Sequence, residues 1–324
     1  MLAYHIMGSA NPEYASRLVD WIHSPNNIYL VTFDNLPALK IFKQNWSPRE
    51  NVNCILTPPI TWGGISIVSA TLWAMGQLLH LNSDWRYFIP LSDSDVPLKR
   101  QSDICEILEA KAKSGKTLSL HLNPQRIVST DYDLIDYSRP LGYRKQLGVR
   151  RDVSFVVHDQ LADHFQEMTE SPIYVTTKRL QFHVTESRRG KTLYIRPLEH
   201  NEALFRKSVF TKYKPLFGKF WCILSRESCD WLTHWEDLPL LFTAFSSTFI
   251  PDESFLHTAL GGEHSPWHRQ IETSNRFRWH NGTADAISDL KLSALQACEC
   301  FFARKVQSDQ CARLFHWIDS WSAE

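Results

Sequence analysis

The first 122 residues alternate strand-like and helix-like segments at a spacing that a mostly parallel sheet, covered on both faces, accommodates best. Residues 3–7 read as a strand, and Asn11 then offers a helix N-cap with Pro12 at the first helical position. Tyr14, Leu18, Val19 and Ile22 form one apolar stripe on that helix. Further strands are predicted over 28–33, 52–56, 87–91 and 117–121, and further helices over 36–44, 66–81 and 102–113. The expected fold class is α/β, with right-handed crossovers. From residue 123 to 215 the pattern weakens into charge clusters, among them Arg144, Lys145, Arg188 and Arg189, and reads as loops and short strands over one sheet edge. Apolar patterning returns from 216, with a strand over 220–224 and helices over 226–235, 252–260, 288–297 and 308–321. The chain of 324 residues is parsed as one domain: a sheet-forming half (1–122), an irregular region (123–215) and a carboxyl-terminal part (216–324).

Charge and cysteine usage exclude several function classes. Lys plus Arg equals Asp plus Glu at 35 each, so no global field draws the chain to nucleic acid or an anionic membrane, and any anion site must be local. The seven cysteines lack paired C-x-x-C spacing, which argues against a zinc ribbon or disulfide framework and for a reducing, cytoplasmic setting. No run approaches about 20 consecutive apolar residues, so no transmembrane anchor is expected. Twelve tryptophans supply core material and flat faces that suit sugar rings.

Four segments carry residue types with chemical potential. Pro251-Asp252-Glu253 places two acids at a helix mouth, where the dipole favours their ionised forms and lets one accept a proton; the plainer reading is a capped helix start. Asp93 and Asp95 follow the strand at 87–91, where ligands of open α/β sheets bind. Their spacing fits either a turn that ends the strand or a bridge to a cation and a diphosphate. Gly63 and Gly64 precede a long helix, which allows close backbone approach to an anion or a simple turn. Arg304 and Lys305, with Arg276 and Arg278 upstream, offer fixed cations to a departing phosphate. His264 and His268 have i, i+4 spacing, but the intervening Pro266 argues against one helix face and hence against a metal site.

Taken together, these segments resemble the core-2/I-branching β-1,6-N-acetylglucosaminyltransferase and peptide O-xylosyltransferase family. The resemblance rests on Asn11-Pro12-Glu13, the 24–30 segment with Asp34, Trp62-Gly63-Gly64 with Ser66, the 91–98 segment, Phe220-Trp221 with Leu224 to Glu227, Pro251 to Phe255, and Phe302 to Lys305. It covers most of the chain outside 125–215 and implies a GT-A type fold. It further implies an inverting enzyme that takes a UDP-sugar donor and a glycan acceptor and needs no metal or other cofactor. Glu253 matches the family's catalytic base and Lys305 its diphosphate lysine. Arg276 and Arg278 are alternatives for the arginine partner, while Arg304 lies where members vary. Asp34, Gly63, Gly64 and Asp95 fall on the donor side, Trp221 and Asp252 on the acceptor side. N-acetylglucosamine is the first expectation for the donor sugar, with xylose and glucuronate as alternatives. A non-catalytic carbohydrate-binding protein is the competing class. Animal members carry an anchor and disulfides, and the absence of both signals here implies a soluble bacterial enzyme.

Overall fold

The computed structural model describes residues 1–61, 64–82, 84–116, 118–122, 153–157, 180–187, 190–197, 202–246, 251–272, 277–279, 287–306 and 308–323. Its centre is a seven-stranded sheet in the order β11-β6-β10-β4-β1-β2-β3. Strands β1 (Leu2–Gly8), β2 (Ile28–Phe33), β3 (Val52–Leu56) and β4 (Tyr87–Ser92) run parallel. Every residue of β1 and β2 is buried, because helices cover both faces and the strands are apolar throughout rather than alternating. Beyond β4 the sheet turns mixed. Strand β10 (Gly218–Ser225) pairs antiparallel with β4 and with β6 (Leu118–Leu122), and β11 (Ile271–Glu272) closes the edge.

Helices α1 (Pro12–Ile22), α2 (Leu36–Asn45), α3 (Ser66–Leu81) and α4 (Gln101–Lys113) occupy the predicted segments to within one or two residues. Their apolar stripes account for this: in α1 the buried side chains are Ala15, Leu18, Val19 and Ile22 together with Pro12 and Ser16. Burial of each large apolar side chain contributes about 1.5–3 kcal/mol, so a charge at fully buried Ile6 or Leu30 would cost more than the domain can spare. Gly8 at the end of β1 is required by packing. A Cβ there would lie 2.3 Å from the Phe33 ring.

The structure corrects several expectations. Asn11 flanks α1, but its side chain makes no capping bond. The 123–215 region contains an antiparallel sheet of its own, β7 (Val153–Val157), β9 (Gly190–Pro197) and β8 (Leu180–Ser187), and α5 (Glu202–Tyr213), rather than short strands alone. Helices α6 (Arg226–His234) and α8 (Phe255–Gly261) are joined by α7 (Leu238–Phe245), whose uniformly apolar sequence carries no period to announce it. The expected helix over 252–260 begins later, because Pro251–Glu253 forms a separate 3-10 turn. The clusters at Arg144, Lys145, Arg188 and Arg189 lie outside the described residues.

A second sheet, β12-β13-β5, was not foreseen. Strand β13 (Phe302–Arg304) pairs antiparallel with β5 (Asp95–Pro97) and parallel with β12 (Phe277–Trp279). Its register sets Arg304 opposite Asp95 and Ala303 opposite both Val96 and Arg278. Val96, Leu98, Ile287, Leu314, Phe315 and Ile318 form a small core there, with Leu314, Phe315 and Ile318 supplied by α10 (Ala312–Asp319) after α9 (Leu292–Gln296).

Candidate active site

Strand order reverses at β1, which lies between β2 and β4, so the crevice at the carboxyl ends of β1 and β4 is the switch point where α/β sheets receive ligands. Here the chain fills its own anion cradle. Asp93, buried just past β4, accepts hydrogen bonds from the backbone N–H groups of Ser9, Ala10 and Asn11, each at 2.8 Å. These donors precede α1 and converge on one carboxylate oxygen, as amides at a helix start do on an anion. Asp93 therefore acts as a structural anion at the start of α1. No group of three or more His, Cys, Asp or Glu side chains that could hold a metal ion occurs among the described residues.

Asp95 belongs to a different arrangement. Fully buried on β5, it accepts from the Ser92 N–H at 2.6 Å and faces the Arg304 guanidinium, with Nε 3.4 Å from Oδ1. Its backbone carbonyl also accepts from the Tyr14 hydroxyl at 2.9 Å, which fastens α1 to β5. Burial pushes the Asp95 carboxyl above its usual range, while Arg304 and the Ser92 bonds pull it back. Burial likewise lowers Arg304, and Asp95 opposes that shift. The guanidinium lies over the Trp221 ring of β10, 3.7 Å from its centroid, at a distance where the ring quadrupole attracts a cation. Arg304 is 8 % exposed and Trp221 7 %, so ring and cation form one enclosed layer.

The turn at Pro251–Glu253 packs on β10 and brings two adjacent acids to this layer. Although Asp252 as a whole is half-buried, its Oδ1 is enclosed and has no hydrogen-bond partner. That burial, reinforced by neighbouring Glu253 and opposed by Arg304, pushes the Asp252 carboxyl up to about 7. The sequence-based expectation that an α-helix dipole favours the ionised form of both acids is thus corrected for Asp252: the acids lie on a three-residue 3-10 turn, and desolvation raises the carboxyl. Glu253 is half-buried beside it.

Lys305 follows β13 and projects to solvent. Its backbone is held on both sides, because its carbonyl accepts from Ile287 N–H at 2.8 Å and the next N–H, of Val306, donates to the Ser94 carbonyl at 2.9 Å. Asp34 stands at the carboxyl end of β2, where Oδ2 accepts from Ile60 N–H at 3.3 Å and Oδ1 from Asn35 at 3.1 Å. Burial raises its carboxyl despite those bonds. Gly64 lies in the loop before α3, its N–H 3.0 Å from the Thr61 carbonyl. Gly63 and Arg276 lie outside the described residues, and Arg278 is placed by its backbone alone, opposite Ala303 on β12. His264 and His268 each set a ring nitrogen on a backbone carbonyl, of Ala259 and Ser265 respectively.

The structure thus brings together Asp95, Trp221, Asp252, Glu253, Arg304 and Lys305 from four separate segments. The Trp221–Arg304 contact was missed in the sequence, since nothing local links positions so far apart. A mostly parallel sheet flanked by helices, with chemistry collected at the carboxyl ends of its strands, is the architecture of a GT-A-like glycosyltransferase domain. The family model of the core-2/I-branching enzymes matches residues 2–139 of the chain. It is 24% identical over 326 residues to the β-glucuronosyltransferase GlcAT14B of Arabidopsis thaliana, covering 95% of this chain and 63% of that protein. GlcAT14A of the same plant is 25% identical, with 80% of this chain and 49% of the relative covered. A β-1,3-galactosyl-O-glycosyl-glycoprotein β-1,6-N-acetylglucosaminyltransferase 3 of Ovis aries is 22% identical, covering 59% of this chain and 42% of the relative. The chain therefore spans only 63%, 49% and 42% of the lengths of these relatives. No helix among the described residues is long and apolar enough to cross a membrane.

Proposed function

We propose that the protein is an inverting glycosyltransferase that moves a sugar from a uridine diphosphate donor to a glycan hydroxyl in one displacement. The acceptor oxygen forms a bond to C1 of the donor sugar as the bond from C1 to the phosphate oxygen breaks. Glu253 takes the acceptor proton, and the bonding pair departs with the diphosphate toward Lys305. Arg304 adds positive charge behind it, and Asp252 lies on the acceptor side of the base. The supporting observation is the convergence on Arg304 of β5, β10, β13 and the 251–253 turn, which sets the base-bearing turn beside the basic end of β13. A binding protein of this fold needs neither element. Base assistance is worth about 10²–10⁴ in rate, and substrate positioning supplies more.

Glucuronate is the donor sugar we favour, because the similarity to plant β-glucuronosyltransferases extends over 95% of the chain and that to an N-acetylglucosaminyltransferase over 59%. N-acetylglucosamine is the second reading, supported by the motif resemblance. Mass spectrometry of products from UDP-glucuronate, UDP-N-acetylglucosamine and UDP-xylose, offered with galactan and glycoprotein acceptors in excess chelator, tests both parts. Transfer is expected from one donor and should survive the chelator. Activity that disappears and returns with manganese would replace the cationic mechanism by a metal-assisted one. Donor binding without transfer to any acceptor would favour a carbohydrate-binding role.

A further inference from the structure

The motif resemblance puts Trp221 on the acceptor side, where an indole would stack on a sugar. Its surroundings leave little ring to offer. Trp221 is 7 % exposed, and the face toward the site is occupied by the Arg304 guanidinium at 3.7 Å. Phe220 packs against its edge, with ring centroids 5.0 Å apart. Arg304 in turn is pinned from the strand opposite by Asp95, the residue in register with it across β5 and β13. A long arginine side chain loses substantial rotamer freedom when fixed in this way, so a ring and a carboxylate on two different sheets give the guanidinium one defined position. That position bears on Asp252, whose enclosed Oδ1 no hydrogen bond satisfies.

We propose that Trp221 is a positioning residue, whose ring acts with Asp95 to fix the Arg304 guanidinium between the base-bearing turn and the basic end of β13. Trp221 then serves the donor side and the Asp252 carboxyl rather than the acceptor. The proposal rests on the glycosyltransferase reading for its kinetic readout only. Among the described residues, the charges acting on Asp252 are Glu253 from its own turn and Arg304 from β13. Asp93 and Asp95 act on Arg304 from the turn after β4 and from β5.

Two measurements on Trp221→Leu, Trp221→Phe and Asp95→Asn decide it. First, the Asp252 carboxyl is titrated by carbon-13 NMR in protein labelled at aspartate, a readout that needs no substrate. Its wild-type midpoint is expected near 7. Releasing Arg304 by Trp221→Leu should raise that midpoint by about half a unit or more, and Trp221→Phe, which keeps a ring under the cation, should leave it near the wild-type value. Second, Trp221→Leu should raise the KM for donor by about tenfold and leave the KM for acceptor within about twofold, with Trp221→Phe restoring most of the loss. Asp95→Asn keeps the buried shape and should move donor KM in the same direction, which covers the case in which Trp221→Leu fails to fold. An unchanged Asp252 midpoint in Trp221→Leu, or a selective rise in acceptor KM in any of these variants, overturns the proposal. If the wild-type protein transfers no sugar at all, the function reading falls, and the titration still decides whether Trp221 holds Arg304.

Discussion

Two acids with enclosed oxygens, one in each half of the chain, have opposite surroundings. Asp93 sits where the regular parallel sheet turns back, and three backbone N–H groups at 2.8 Å satisfy a single oxygen. Asp252 sits on an irregular 3-10 turn, and its enclosed Oδ1 has no hydrogen-bond partner. An acid whose oxygen is saturated by backbone donors of the same chain stabilises the fold. An acid left short keeps a high proton affinity, a cost that chemistry at a site explains better than packing does. The amino-terminal half is the scaffold in this sense, and the carboxyl-terminal part carries the acids and cations to which we assign the chemistry.

Asp93→Ala is the strongest attempt to break this contrast. It leaves three amides without their acceptor, and we expect about 2–4 kcal/mol of lost stability in denaturant titrations, partly relieved by water at the exposed loop. A variant as stable as the wild type would show that Asp93 is not structural. Glu253→Gln should do the reverse, lowering turnover by at least about 10² while donor binding survives, because the amide keeps the shape but cannot take a proton. Near-normal turnover removes Glu253 from the base role.

Asp252→Asn sharpens the contrast through pH. In the folded chain this carboxyl holds its proton up to about 7, whereas an unfolded aspartate releases it near about 4. Between those values the folded state binds more protons, so its stability falls as pH rises. Discounted for partial exposure, the loss is about 2 kcal/mol between pH 4 and 8, and melting curves of Asp252→Asn should lack that share of the slope. His5, fully buried on β1 with its Nε2 3.0 Å from the Thr32 hydroxyl, tilts the other way. Burial lowers it to about 3, so the stability it contributes is complete above about 6.5 and is lost as pH falls toward 3. The smallest stability effect belongs to exposed Lys305. Its replacement by alanine should change stability by less than about 0.5 kcal/mol and yet raise donor KM by about tenfold.

The scaffold was legible because its strands and helices are long enough to show a period. Val52–Leu56 and Ser66–Leu81 end where the apolar pattern ends. The site was legible only in its parts. Strands of three residues such as Asp95–Pro97 and Phe302–Arg304 contain less than two repeats of any pattern, so the sheet that joins Asp95 to Arg304 leaves no mark on the sequence. Leu238–Phe245 is apolar on every side and hides its helix for the same reason. The motif at 251–253 singled out two acids, but the cation acting on Asp252 is an arginine brought in from elsewhere.

The stitching of β13 has a consequence for how a leaving group would be met. With the Lys305 carbonyl bonded to Ile287 and the following amide to Ser94, the root of that side chain is held while the side chain itself is exposed. Such a cation can follow a receding phosphate through an arc of fixed centre without any loop having to shut, and then let it go.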